Sequence, residues 1–154
     1  MNNVFFEYIS NNVTNKIRLI KLLNYLDSFY IPPVSSLVDI DFYCDKILNN
    51  AIIIIAIVDN KDIGFIATYF NDINNKKAFI TSIGIDKKYQ GKKIGLKLIQ
   101  NIFDIAKKIN FNKIELEVNV SNAKAIKFYN TVGFYTYKNI ENKNSKLLVY
   151  NIKK

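Results

Sequence analysis

Ala51 to Val58 reads AIIIIAIV, eight apolar residues without a break, six of them β-branched. A membrane-crossing helix needs roughly 20 such residues, so the run is far too short to span a bilayer. Its β-branched content favours a buried strand instead. A strand of this kind requires a sheet with enough surrounding structure to cover it. The chain has 154 residues, enough for one domain with a sizeable core. Its composition, 49% apolar and 14% aromatic, is that of a folded protein rather than a disordered one.

The pattern on either side of the run alternates strands with helices. Val4–Ile9 reads as a first strand. From Asn11 to Asp27, Val13, Ile17, Ile20 and Leu23 keep helical spacing, with Asn or Thr available as a cap. Pro32-Pro33 interrupts, and a second helix is expected from Asp39 to Leu48 with Ile40, Tyr43 and Ile47 on one face. Ala51–Val58, Ile63–Phe70 and Ala78–Ile85 are separated by the polar turns 59–62 and 71–75 and read as an antiparallel meander. Ile94, Leu98, Ile102, Ile105 and Ile109 mark a long amphipathic helix. Lys113–Val120 follows as a strand. A short helix then runs from Ser121, the expected N-cap, to Val132, with Gly133 closing it. Two strands, Phe134–Ile140 and Lys146–Ile152, end the chain. The expectation is a single α/β domain over residues 1–154, with a mixed central sheet of about seven strands and about four helices.

Several functions are excluded or disfavoured by what the chain lacks. There is no histidine, so no Ser-His-Asp or Cys-His nucleophile system and no histidine zinc site can be assembled. The single cysteine, Cys44, forms no internal disulfide and no cysteine metal cluster; no metal is expected. The first residues, MNNVFFEYISNN, lack the basic start and long apolar core of a secretory signal, and the expectation is a cytoplasmic protein with no membrane partner. Twenty-two basic and thirteen acidic residues give a net charge of +9. Such a surplus attracts polyanions. A general abundance of Asn, Lys and Ile along the chain accounts for it equally well.

The stretch from Tyr89 to Leu98, YQGKKIGLKL, places two glycines and three lysines between a strand and a helix. A helix start presents unpaired N–H groups and a positive dipole end, which together bind anions. Neither the P-loop pattern nor the dinucleotide pattern G-x-G-x-x-G is present. On its own the stretch is either an anion cradle or an ordinary basic loop.

A second segment, Lys113 to Tyr135, reads KIELEVNVSNAKAIKFYNTVGFY. Here the chain resembles the GCN5-related N-acetyltransferase (GNAT) family, whose pyrophosphate motif is Gln/Arg-x-x-Gly-x-Gly/Ala. Gln90 to Gly95 matches except at Lys93, where the family usually has glycine. Leu116 through Phe134 resembles the family's L-E-V-x-x-x-N-x-x-A-I-x-F-Y-x-x-x-G-F segment, and the order of elements agrees from Val4 to Ile152.

The resemblance implies the GNAT acyl-CoA N-acyltransferase fold, acetyl-CoA as donor and a small-molecule or peptide amine as acceptor. Backbone groups of Ile83, Gly84 and Ile85 would hold the pantetheine arm, and Gly91, Lys92, Lys93, Ile94, Gly95 and Leu96 the pyrophosphate. Asn122 would contact the cofactor. Tyr129 would protonate the departing thiolate, and Glu117, with Glu115 or water as the alternatives, would take the proton of the amine. Cys44, with no activating neighbour, is not expected to carry an acyl group, so direct attack in a ternary complex is expected. Tyr25–Asp45 and Glu141–Ser145 would shape the acceptor side, with an amino sugar or nucleotide-linked amino sugar favoured over a peptide. The alternatives are a protein N-acetyltransferase, a non-catalytic CoA-binding protein, or a nucleic-acid-binding module. The last is disfavoured because the aromatics fall at core-like positions and no nucleic-acid motif is present. A monomer or homodimer is expected.

Overall fold

The computed structural model describes residues 3–152. Seven strands form one sheet in the spatial order β1-β2-β3-β4-β5-β7-β6. They are β1 (Val4–Ile9), β2 (Ala51–Val58), β3 (Lys61–Asp72), β4 (Lys77–Ile85), β5 (Lys113–Asn119), β6 (Tyr135–Ile140) and β7 (Ser145–Asn151). Four helices, α1 (Val13–Leu26), α2 (Ile40–Asn50), α3 (Ile94–Lys108) and α4 (Ala123–Val132), complete the fold. No helix among the described residues is long and apolar enough to cross a membrane.

The unbroken apolar run is explained by the strand's period of two. Ile53 and Ile55 of β2 enter a core with Leu19, Leu22, Leu23 and Leu26 of α1 and Cys44 and Ile47 of α2. Ile54, Ala56 and Val58 enter a second core, with Leu98, Ile99 and Ile102 of α3 and Ile114, Leu116 and Val118 of β5. The sheet is thus covered by α1 and α2 on one face and by α3 on the other, and β2 is apolar throughout because it serves both cores.

Two expectations need correction. Val13 and Ile17 keep helical spacing, yet they are 76% and 63% exposed. Leu19, Leu22, Leu23 and Leu26 share the same period, and this leucine row faces the sheet. Asn12, one of the two residue types expected there, caps α1 by accepting from the Asn15 amide at 2.8 Å. The N-cap of α4 is Asn122, which accepts from the Ala125 amide at 3.3 Å. Ser121 stands one residue earlier and donates its hydroxyl to Asn119 Oδ1 at 2.6 Å.

All strand pairs are antiparallel except β4–β5, which is parallel and connected through α3. That pairing runs only from Lys77↔Lys113 to Ile80↔Leu116. Beyond it, Thr81–Ile85 and Glu117–Asn119 diverge without a ladder between them. The last strand, β7, inserts between β5 and β6, so β6 becomes an outer edge. The two rows of α1 can be told apart by stability. Leu19→Ala should cost about 2–5 kcal/mol and Ile17→Ser less than about 0.5 kcal/mol, read from urea unfolding midpoints.

Candidate active site

The divergence of β4 and β5 begins at a β-bulge. Ala67 of β3 pairs with Ser82 and Thr68 with Ile80, which leaves Thr81 as the extra residue of β4. A bulge bends its strand and interrupts the ladder. Past the bulge, Ile83, Gly84 and Ile85 pair with Ile66, Phe65 and Gly64 of β3, while the edge towards β5 is open. Asp86 donates its amide to Ile63 O of β3 at 2.8 Å. By strand alternation, the backbone groups of Ile83 and Ile85 therefore face the opening. Ile85 O is already taken by Gln90 Nε2 at 3.1 Å, which leaves both Ile83 groups and the Ile85 N–H exposed on that edge.

Gly84 has a different role from its neighbours. A Cβ there would overlap the Tyr30 hydroxyl and lie 2.8 Å from Tyr30 Cζ. The segment after α1 therefore reaches β4 only because residue 84 has no side chain.

The basic loop follows directly. Five lysines fall between positions 87 and 97. Gly91 turns with φ 78 and Lys93 with φ 64, both in the left-handed region. Lys93 is the N-cap of α3 and makes no side-chain cap hydrogen bond. The first helical backbone bond here is Lys97 N to Lys93 O at 3.1 Å, so the amides of Ile94, Gly95 and Leu96 have no partner within the helix. Ile94 is buried in the core, Gly95 lies against the Phe128 ring of α4, and Leu96 is half-buried. Lys92 Nζ lies 5.6 Å from the centre of the Tyr89 ring. Lys124 Nζ reaches Gln90 Oε1 at 2.9 Å, which ties α4 to this loop. Sequence reasoning missed that bridge, because no local pattern links positions 34 residues apart.

The left-handed conformation also accounts for the glycine that the resemblance expects at position 93. A β-carbon in this region costs roughly 1 kcal/mol. Lys93→Gly should therefore raise stability by about 0.5–1 kcal/mol, whereas Lys93→Ala should not; urea denaturation distinguishes them.

Asn122 spends its side-chain oxygen on the α4 cap and its backbone amide on Asn119 O at 3.0 Å, while its side-chain Nδ2 makes no hydrogen bond to the described residues. Tyr129 of α4 packs against Phe134, with ring centres 5.8 Å apart. Burial pushes its phenol up to about 12, and its hydroxyl has no hydrogen-bond partner among the described residues. It is close enough to Tyr30, in the segment after α1, for the Tyr30 phenol to sense its charge.

The two glutamates of β5 differ. Both lie on the face opposite Leu116 and Val118, which belong to the α3 core. Glu115 sits in the closed part of the sheet opposite Phe79; its side chain is 11% exposed and 3.5 Å from Lys77 Nζ. Glu117 is the first residue past the last β4–β5 pair. Its side chain is 33% exposed, and its one ion pair among the described residues is with Lys143 Nζ, at 3.9 Å. Cys44 is buried, and burial pushes its thiol up to about 12, so little thiolate forms at neutral pH.

The acetyltransferase (GNAT) family profile matches residues 19–134. An uncharacterised N-acetyltransferase of Methanocaldococcus jannaschii is 38% identical over 81 residues, which cover 50% of this chain and 36% of that protein. N-alpha-acetyltransferase 30 of Schizosaccharomyces pombe is 36% identical over 64 residues, covering 42% and 43% respectively. The matches thus span less than half the length of either relative. In structure, the PaiA N-acetyltransferase of Thermoplasma acidophilum, solved in complex with coenzyme A, superposes with a TM-score of 0.77 at 18% identity, over 97% of this chain and 99% of that one.

Proposed function

The chain belongs to the acetyltransferase (GNAT) family, and from that premise we propose that it moves an acetyl group from acetyl-CoA to a primary amine by direct attack in a ternary complex. The observation that carries this reading is the opening between β4 and β5, which begins at Thr81 and Glu117 and leads to the basic loop. The residues fit the donor. Open backbone groups of Ile83 and Ile85 suit the amide-bearing pantetheine arm, as an added strand would. The unpartnered amides of Ile94, Gly95 and Leu96, with Gly91, Lys92 and Lys93 beside them, suit the pyrophosphate. The free side-chain nitrogen of Asn122 adds a donor at the start of α4.

In this reading Glu117 takes a proton from the acceptor ammonium, since only the neutral amine is nucleophilic. Its position at the opening and its single long ion pair favour it over Glu115, which Lys77 holds inside the closed sheet. The amine nitrogen bonds to the thioester carbon, the C–S bond breaks, and the sulfur leaves as a thiolate. Tyr129 supplies the proton that the thiolate takes up. With its phenol pushed up to about 12, it stays protonated throughout the neutral range. The buried, little-ionised Cys44 offers no acyl-cysteine route.

The acceptor is read first as a small amine of the amino-sugar type. A second reading, the α-amine of a peptide, is favoured by the relative that carries the name N-alpha-acetyltransferase. Tyr129→Phe should leave acetyl-CoA binding intact, by thermal shift, and lower kcat by about 100-fold; unchanged turnover would remove Tyr129 from the mechanism. Glu117→Gln should abolish the acidic limb of the kcat/KM profile. A variant that keeps that limb would show the proton goes elsewhere.

A further inference from the structure

On the α1–α2 face of the sheet, five hydroxyl side chains gather at the bulge. A bulge of this type sets two successive side chains on the same face, and here these are Thr81 and Ser82. Tyr43 Oη and Thr81 Oγ1 lie 2.8 Å apart, and Tyr30 Oη and Ser82 Oγ 3.0 Å apart. Tyr69 Oη, also within reach of Thr81, is buried without a hydrogen-bond partner among the described residues.

Each hydroxyl donates once and accepts up to twice. The group of five therefore holds five donors, and the two bonds within it use two of them; Tyr43 also lies within reach of Ser82 and Tyr69 of Thr81. The Tyr69 hydroxyl remains buried without a partner among the described residues, which is costly unless a polar partner arrives. Burial also raises the phenols of Tyr30, Tyr43 and Tyr69 above their ordinary range, so all three remain neutral donors wherever the enzyme works. Asp27, the carboxylate that Tyr30 senses, is occupied by the amide and hydroxyl of Ser35. The group therefore offers hydrogen bonds and no charge.

We propose that Tyr30, Tyr43, Tyr69, Thr81 and Ser82 form a subsite that selects acceptors carrying uncharged hydroxyl groups close to the reacting amine. This rests on the reading of the β4–β5 opening as the acetyl-transfer site, and it names the part of the acceptor that the site distinguishes. Glu117 across the opening receives the amine's proton, while the hydroxyl group on β4 and its tyrosines grip the neighbouring hydroxyls. An alkyl amine would leave the buried Tyr69 hydroxyl unmet.

The experiment compares trans-2-aminocyclohexanol with cyclohexylamine as acceptors, following the release of free CoA thiol. Wild-type enzyme should prefer the amino alcohol in kcat/KM by about tenfold or more, the worth of one or two hydrogen bonds. In Tyr30→Phe and in Tyr43→Phe that preference should fall towards one. Comparing the variants' ratios with the wild-type ratio cancels the difference in amine basicity. It also separates recognition from a general loss of folding, which would lower both rates together and leave the ratio standing. A wild-type enzyme indifferent to the hydroxyl, a preference that survives both substitutions, or a peptide α-amine acetylated faster than either compound would overturn the proposal. If neither amine is acetylated although acetyl-CoA raises the melting temperature, the proposed selectivity fails while the donor site stands. If acetyl-CoA produces no shift either, both readings fall.

Discussion

The parallel pairing of β4 and β5 lasts four residue pairs, from Lys77↔Lys113 to Ile80↔Leu116, and then ends. The proposed acetyl-transfer site depends on that ending. A continuous ladder would have satisfied the backbone of Ile83 and Ile85 and closed the sheet into a surface with no opening. The bulge at Thr81 bends β4 away instead. Glu117 and the exposed edge of β4 then line one opening, and α4 brings Tyr129 to it. Because β4 runs on through a single 3-10 turn at Lys87–Tyr89 into the basic loop, the opening and the free amides of α3 are continuous.

Polar and apolar chemistry are kept apart by the layers of the fold. Both cores are aliphatic and aromatic, and each buries one face of β2. Unpartnered hydrogen-bonding groups among the described residues include Tyr69 Oη near the bulge and the first amides of α3, with Thr68 Oγ1 and Ser145 Oγ buried elsewhere in the sheet. Several cross-links hold these regions in fixed relation. Tyr25 donates to Asp86 at 3.1 Å, and Lys87 lies 5.1 Å from the centre of the Phe29 ring. Lys124 reaches Gln90. The segment after α1 and the helix α4 are thereby both anchored to the loop that follows β4.

Much of this was legible beforehand, and the failures have specific causes. The LEV…FY…GF segment and the glycine-bearing loop were readable because their residues are close in sequence and answer local backbone demands. The apolar rows of α1 were not separable, because Val13 and Ile17 obey the same period as Leu19 and Leu23. Periodicity identifies a helix, but which row turns inward depends on what the sheet presents. The cap of α4 slipped from Ser121 to Asn122 because both residue types can cap, and Ser121 was taken up by Asn119. Lys93 looked like a departure from the family's glycine. In the fold it occupies a left-handed position that a glycine would adopt without strain.

The sequence by itself determined the elements, their order, the doubly buried β2 and the location of the basic, glycine-bearing loop between β4 and α3. Each of these follows from period, turn chemistry or composition over a few consecutive residues. Only the tertiary structure decided where β4 and β5 part, which of two like-facing glutamates stands at the gap, and that β7 lies between β5 and β6. It alone brought Tyr30, Tyr43 and Tyr69 onto Thr81 and Ser82. Those outcomes depend on pairing registers and on contacts between residues far apart in the chain. A one-residue bulge sets them, and no local pattern in an isoleucine-rich strand announces where that extra residue will fall.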